Sequence, residues 1–148
     1  MTTEEYNKNY TIDEIQNVLN DMRDCIADKR RTFLCGEDRE KNAQFDLKFQ
    51  LKQADKDKIL LRLDVMDFVG SLKSRNEKHE NEVLYVFVPK EKLRNYNDKL
   101  LEIEIYIKFS ISGTNKKMQT IVISLHELEH PVEYAFKNNE SEKNELLH

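Results

Sequence analysis

LLEIEIYIKFSISGTNKKMQTIVISLHE, residues 100–127, consists of two strongly alternating runs joined by Gly-Thr-Asn-Lys-Lys, the pattern of a β-hairpin. Successive side chains of a strand point to opposite faces, so Ile103, Ile105, Ile107, Phe109 and Ile111 form one apolar face of the first run. Glu102, Glu104, Tyr106, Lys108 and Ser110 are left on the other. In the second run Ile121, Ile123 and Leu125 repeat the apolar face, and Val122, Ser124 and His126 share the opposite one. Pairing Ile111 with Ile121 then sets Ser124 across from Lys108 and His126 across from Tyr106, with opposed Cβ atoms about 5 Å apart. A His, a Tyr and a Lys meet on one polar sheet surface.

Upstream of the hairpin the periodicity is helical. Thr11-Ile-Asp-Glu14 has the form of a capping box, and Ile12, Ile15, Leu19, Met22 and Ile26 follow at helical spacing, which predicts a helix over 12–27. KRRTFLCGED breaks that pattern at Gly36. Asp38 can cap a second helix with Phe45 and Phe49 on one face, and a short third helix over 55–62 buries Ile59, Leu60 and Leu63. Asp64 caps a turn into DFVGSLKSR, a strand or a last helical turn that Gly70 weakens in either form. Polar NEKHEN reads as a loop, VLYVFVP as a buried strand ending at Pro89, and KEKLRNYNDK as a connection. The expected fold is α+β: N-terminal helices packed on one face of a three- to four-stranded antiparallel sheet, in a single domain over 1–148 with flexible segments at 1–10 and 137–148.

Composition narrows the function classes. With 39% hydrophobic and 35% charged residues the 148-residue chain suits a soluble globular domain. No apolar run is long enough to span a membrane and MTTEEYNKNY has no apolar signal core, so the expected location is the cytoplasm. Cys25 and Cys35 lack CxxC spacing and read as reduced thiols packing as small hydrophobes. A net charge of −4 argues against indiscriminate nucleic-acid binding. Between Lys73 and Arg94, however, six Lys or Arg outnumber four Glu, so a local phosphate-binding patch is compatible with the sequence. Three glycines form no phosphate loop, which removes ordinary nucleotide-dependent enzymes.

His126-Glu-Leu-Glu-His130 matches HExxH, in which a helix brings two imidazoles to one zinc and a Glu serves as general base. Here His126 ends the β-branched run IVIS, and Pro131 drives His130 away from helical geometry. A zinc-dependent hydrolase using His126, Glu127 and His130, with Glu133, Glu140 or Glu142 as a further ligand, is therefore the alternative reading. The leading one has no metal and no cofactor.

Between Arg39 and Phe136 the chain carries R-x-x-N, Ile-Leu-Leu-x-Leu, Val-Met-Asp-Phe, Glu-Val-Leu-Tyr-Val-Phe-Val-Pro, Ile-Tyr-Ile-Lys-Phe and Ile-Val-Ile-Ser-Leu-His-Glu. This series, about two thirds of the chain, resembles the motility-quorum-sensing-regulator family of type II toxins, in the RelE-like group of mRNA interferases. The resemblance implies a compact bacterial α+β endoribonuclease that cleaves mRNA without a metal and is neutralised by a cognate antitoxin, and it leaves ribosome association open. Tyr106 and Lys108 fall on the family's strand Tyr-x-Lys. His126 stands where the family commonly has a Lys, and Gly70 replaces a family Lys that Lys73 and Arg75 are placed to restore.

RNA cleavage without a metal needs a base for the 2′-hydroxyl proton, an acid for the departing 5′ oxygen and fixed cations around the phosphorane. His126 is the candidate for proton transfer, with Glu127 a second-rank base. Lys108, with Lys73 or Arg75, is the candidate for charge stabilisation, and Tyr106 for orienting the phosphate or stacking on a base. Lys73, Arg75 and Arg94 are the expected RNA-binding cations. The bland counterpart is that exposed Tyr, Lys and charged loops are ordinary surface, which leaves a non-catalytic RNA- or protein-binding member of the toxin fold as a third reading.

Overall fold

The computed structural model describes residues 5–35, 39–74, 82–114 and 117–136. Its elements in chain order are α1 (Ile12–Ala27), β1 (Arg31–Phe33), α2 (Glu40–Phe49), α3 (Gln53–Leu61), a 3-10 turn (Val65–Asp67), β2 (Phe68–Lys73), β3 (Val83–Phe87), β4 (Lys90–Arg94), β5 (Leu100–Ser112) and β6 (Gln119–Glu127). The class is α+β, but the sheet is larger than expected and mixed, in the order β1-β6-β5-β3-β2 with β4 also paired to β5. The expected loop NEKHEN and the candidate cap Asp38 lie outside the described residues.

Helix α1 starts where its capping box requires. The Glu14 amide donates to Thr11 Oγ1 at 3.1 Å and the Thr11 amide to Glu14 Oε1 at 2.8 Å. Ile15, Leu19, Met22 and Ile26 follow on one buried face, joined by Phe45 and Phe49 of α2 and by Ile59, Leu60 and Leu63 from α3 and its end. All three helices cover one sheet face, where Phe68, Phe87, Ile105, Ile107, Phe109, Val122 and Leu125 meet them. Ile12, at the first helical position, is exposed instead.

Two strands, β1 and β4, are absent from the sequence reading, and a third, β2, is one of two forms it leaves open. KRRTFLCGED contains β1, a three-residue strand running parallel to β6, too short to show alternation in sequence. DFVGSLKSR supplies a strand, β2, and not a helical turn. The presumed connection KEKLRNYNDK contains β4: β3 and β4 pair with β5 in one unbroken register, interrupted only at Val88-Pro89. Proline lacks the N–H that a ladder needs, yet its carbonyl still accepts from the Ile105 amide at 3.0 Å, so the strand breaks without leaving its partner.

The second face is not bare. Val69, Val86 and Val88 form a small cluster covered by Tyr6, Leu72, Tyr106, Leu128, Val132 and Tyr134. Residues 1–10, expected to be flexible, include an ordered crossing: Asn7 exchanges two backbone hydrogen bonds of 2.9 Å with Ser71 on the edge of β2. This crossing accounts for Gly70, since a Cβ there would lie 2.6 Å from Tyr6 Cβ. At the other terminus Tyr134 Oη donates to the Val88 carbonyl at 2.8 Å, the Ala135 amide donates to the Phe68 carbonyl at 2.9 Å, and Phe136 stacks on Phe68. Residues 137–148 lie outside the described set.

The hairpin holds its most consequential departure. Tyr106 pairs with His126 and Lys108 with Ser124, as expected, but Ile111 pairs with Thr120 and not with Ile121. Ile123 is an extra residue, a β-bulge opposite the step from Lys108 to Phe109. Alternation in β6 therefore flips: Val122, expected on the polar face, is buried against the helices, while Ile121 pairs with Ser110 on the face away from them. Beyond the end of β1 the edge of β6 is held by Asn42, itself buried on α2. Its Nδ2 donates to the Leu34 and Ile123 carbonyls, both at 2.9 Å, and its Oδ1 accepts from the Leu125 amide at 3.0 Å.

Asn42→Ala orphans one buried and two part-buried backbone groups and is expected to destabilise the fold by about 3 kcal/mol, read as a lowered urea midpoint. An unchanged midpoint would show that β6 does not need the clamp. Burial pushes the Tyr134 hydroxyl up to about 12, with the carboxylates of Glu104 and Asp67 adding to the rise. A raised folded value holds stability in full below the ordinary tyrosine range near pH ~10 and loses it as pH climbs toward 12. Wild type should therefore exceed Tyr134→Phe by about 1 kcal/mol near neutrality, and that margin should close across this window. A margin independent of pH in urea titrations would contradict it.

Candidate functional site

Antiparallel pairing at Tyr106 and His126 places the two rings side by side, with centroids 5.4 Å apart and planes 22° apart, a stacked arrangement. Lys108 and Ser124 form the next same-face pair, so Lys108 is a diagonal neighbour of His126 at a Cβ separation of about 7–8 Å. His126, Tyr106 and Lys108 are all partly buried and share the face away from the helices. Tyr106 also packs on the valine cluster of that face.

The imidazole is oriented by its own backbone. His126 Nδ1 lies 2.9 Å from the carbonyl oxygen of Glu127. A carbonyl can only accept, so Nδ1 carries the proton, and in the neutral ring the lone pair belongs to Nε2. Nε2 is then the nitrogen able to accept a proton.

His126 also borders a cavity of about 300 Å³ between the end of β6 and α2, lined by Lys41, Gln44, Phe45, Lys48, Glu127 and Glu129. Lys41, Gln44 and Lys48 recur at three- and four-residue steps, one stripe of α2. Both lysines are matched: Lys48 Nζ lies 2.6 Å from Glu127 Oε1, and Lys41 Nζ lies 2.5 Å from Glu129 Oε1. The hydrogen bond from Lys41 holds the Glu129 carboxyl below the usual carboxylate range, assisted by the charge of Lys41 and of the nearby His126 and His130. Sequence reasoning passed over these residues because a polar helical stripe ordinarily means solvent, and only the fold sets it beside β6.

The remaining candidates are dispersed. Lys73 shares the parity of Ser71, whose hydroxyl meets Tyr10 on the helix side, so it points away from the face of Lys108. Arg75 lies outside the described residues. Arg94 pairs with Leu100, six residues along β5 from Tyr106, a distance of about 20 Å. Glu127 pairs with Ile105 on the helix side and is engaged by Lys48.

HExxH does not lie on a helix. β6 runs through His126 to Glu127, and His130 sits in an exposed bend before Pro131. Four residues span about 6 Å along a helix but about 13 Å along extended chain, so the spacing loses its meaning here. Among the described residues no group of three or more His, Cys, Asp or Glu is placed to hold a metal ion. Cys25 is buried and Cys35 exposed, and neither is in a disulfide. None of the described helices is long and apolar enough to cross a membrane. The chain matches no protein-family model, no curated protein and no solved structure.

Long-range ¹H–¹⁵N correlation of the His126 ring should show the Nδ1-protonated tautomer in its neutral form. A neutral ring protonated on Nε2 would remove the base assigned to this site.

Proposed function

We propose that this chain is the endoribonuclease toxin of a bacterial type II toxin–antitoxin pair, cleaving mRNA without a metal. The observation that carries the reading is the His126 ring, stacked on Tyr106, with its Nδ1 tied to a carbonyl and Lys108 one pair along the same face. His126 Nε2 takes the proton of a ribose 2′-hydroxyl, whose oxygen attacks the adjacent phosphorus. The bond to the 5′ oxygen breaks, leaving a 2′,3′-cyclic phosphate and a 5′-hydroxyl. The Lys108 ammonium faces the charge that builds on the phosphorane, and Tyr106 orients the phosphate or a flanking base. Lys41, on the cavity wall beside His126, supplies the leaving-group proton. The setting is the cytoplasm, with mRNA as substrate.

One observation favours a second reading. Lys41 and Lys48 are both ion-paired, which leaves the cavity with little net positive charge. A non-catalytic member of the toxin fold that binds RNA or protein fits that balance.

The test is cleavage of a messenger by purified protein in the presence of a chelator. The expected products carry 5′-hydroxyl and cyclic phosphate ends, and His126→Ala should slow cleavage by at least about 10²-fold. Lys108→Glu should weaken both cleavage and binding of an acidic antitoxin segment that competes for the same face. Wild-type cleavage by His126→Ala would leave the nuclease reading without its central residue. Growth arrest on induction that is lost in His126→Ala separates the enzyme from the binding module.

A further inference from the structure

The cations missing from the His126 site gather elsewhere. A groove of about 540 Å³ opens between the α2–α3 corner and β4, and Lys58, Arg62, Lys92 and Arg94 line it with Tyr96 and Leu100. Two acids also line it, and each is in use: Asp55 Oδ2 accepts from the Lys52 amide at the start of α3, and Asp98 pairs with Arg94 at 3.7 Å. Arg62 is paired with Glu91. Lys58 and Lys92 make no ion pair among the described residues and are exposed.

Basic side chains on β4 have an ordinary role, since β4 is an edge strand and Lys or Arg there discourages pairing with another chain. That role explains neither Lys58, which comes from α3, nor Tyr96. Tyr96 is 64% exposed, yet its backbone is fixed. Its amide donates to the Lys48 carbonyl at 2.8 Å, and the turn around it is closed by Asn95, whose Oδ1 accepts from the amides of Asn97 and Lys99. An aromatic ring held out on an anchored turn, among cations drawn from two elements, makes a stacking platform in an electrostatic groove.

We infer that this groove binds single-stranded RNA, its cations tracking the phosphates and Tyr96 stacking on a base. This rests on the RNA reading of the His126 site and adds a second point of contact to it. Arg94 and Leu100 mark the groove's position on β5, about 20 Å from Tyr106, so one extended strand of RNA reaches both. The groove adds two cations, Lys58 and Lys92, that make no ion pair among the described residues, whereas both lysines of the cavity beside His126 are paired.

The probe is a fluorescein-labelled 2′-O-methyl oligouridylate of about 16 nucleotides, unstructured and without the hydroxyl that cleavage needs, titrated against the full chain by anisotropy. Tyr96→Ala should weaken binding about tenfold and Tyr96→Phe should restore it, because stacking needs the ring and not the hydroxyl. Lys92→Ala with Arg94→Ala should weaken binding and lower the salt slope by about 1.4, the loss of two phosphate contacts. All three positions changed are exposed, and circular dichroism of each variant should match wild type. Wild-type affinity and salt slope in these variants would overturn the groove. Capture of a labelled polyglutamate peptide that the oligonucleotide does not displace would overturn it in favour of an acidic protein partner. The two readings fail separately: His126-dependent cleavage with intact binding by the groove variants removes the groove alone. Groove-dependent binding by a protein that cleaves no RNA removes the catalysis alone.

Discussion

The bulge at Ile123 is the constraint on which the site depends. Strand alternation is strict, so a residue inserted into β6 moves everything beyond it to the other face. Without it, Val122 and Leu125 could not both face the helices, since they are an odd number of positions, three, apart. With it, both enter the core, and Ser124 and His126 remain on the opposite side across from Lys108 and Tyr106. Bulged strands lose part of their ladder, and β1 stops at Phe33, just where the bulge begins. Asn42 takes over there as a one-residue surrogate strand, bonding to both carbonyl and amide groups of β6. Packing by Phe45 and Phe49 fixes α2, α2 fixes Asn42, and Asn42 fixes the strand that presents His126.

Much of this was legible in the sequence, and the pattern of success is physical. Thr11 to Glu14 is a local device whose hydrogen bonds close within four residues, so the start of α1 follows from the local sequence alone. The pairing of Tyr106 with His126 was expected from the wrong premise: Ile111 with Ile121 gives the right partners beyond the bulge and the wrong ones before it. A bulge adds a residue without altering apolar content, so the isoleucines that suggested the register could not reveal it. The strand β1 and the stripe of Lys41, Gln44 and Lys48 were invisible for another reason. Their meaning lies in what they touch, β6, some eighty residues away in sequence.

Gly70 shows how a sequence resemblance and a packing argument can assign one residue opposite meanings. Set beside the toxin family, it is a lost cation. In the fold it is where the N-terminal segment passes over the sheet, with no room for a Cβ beside Tyr6. The crossing also brings Tyr10 onto Phe68 and Ser71, tying the chain before α1 to both faces of β2. A lysine at this position would have to displace that segment, so the absence of charge here is a requirement of packing and carries no information about activity.

The distribution of charge gives the molecule two ends with different capacities. Beside His126, Lys41 and Lys48 are matched by Glu129 and Glu127, and the imidazole is held with its proton on Nδ1 and its lone pair on Nε2. A neutral base works where it is oriented and screened, and paired lysines orient without building a strong field. At the far end of β5, cations outnumber acids and an aromatic ring stands in solvent. A phosphate chain is attracted by net charge, whereas a proton is moved by geometry. On the RNA reading proposed above, separating the two would let a protein of net charge −4 hold a polyanion at one end of a strand and leave the other for chemistry. β5, thirteen residues long and paired along its length by β4, β3 and β6, is the rigid element that keeps the two at a fixed distance.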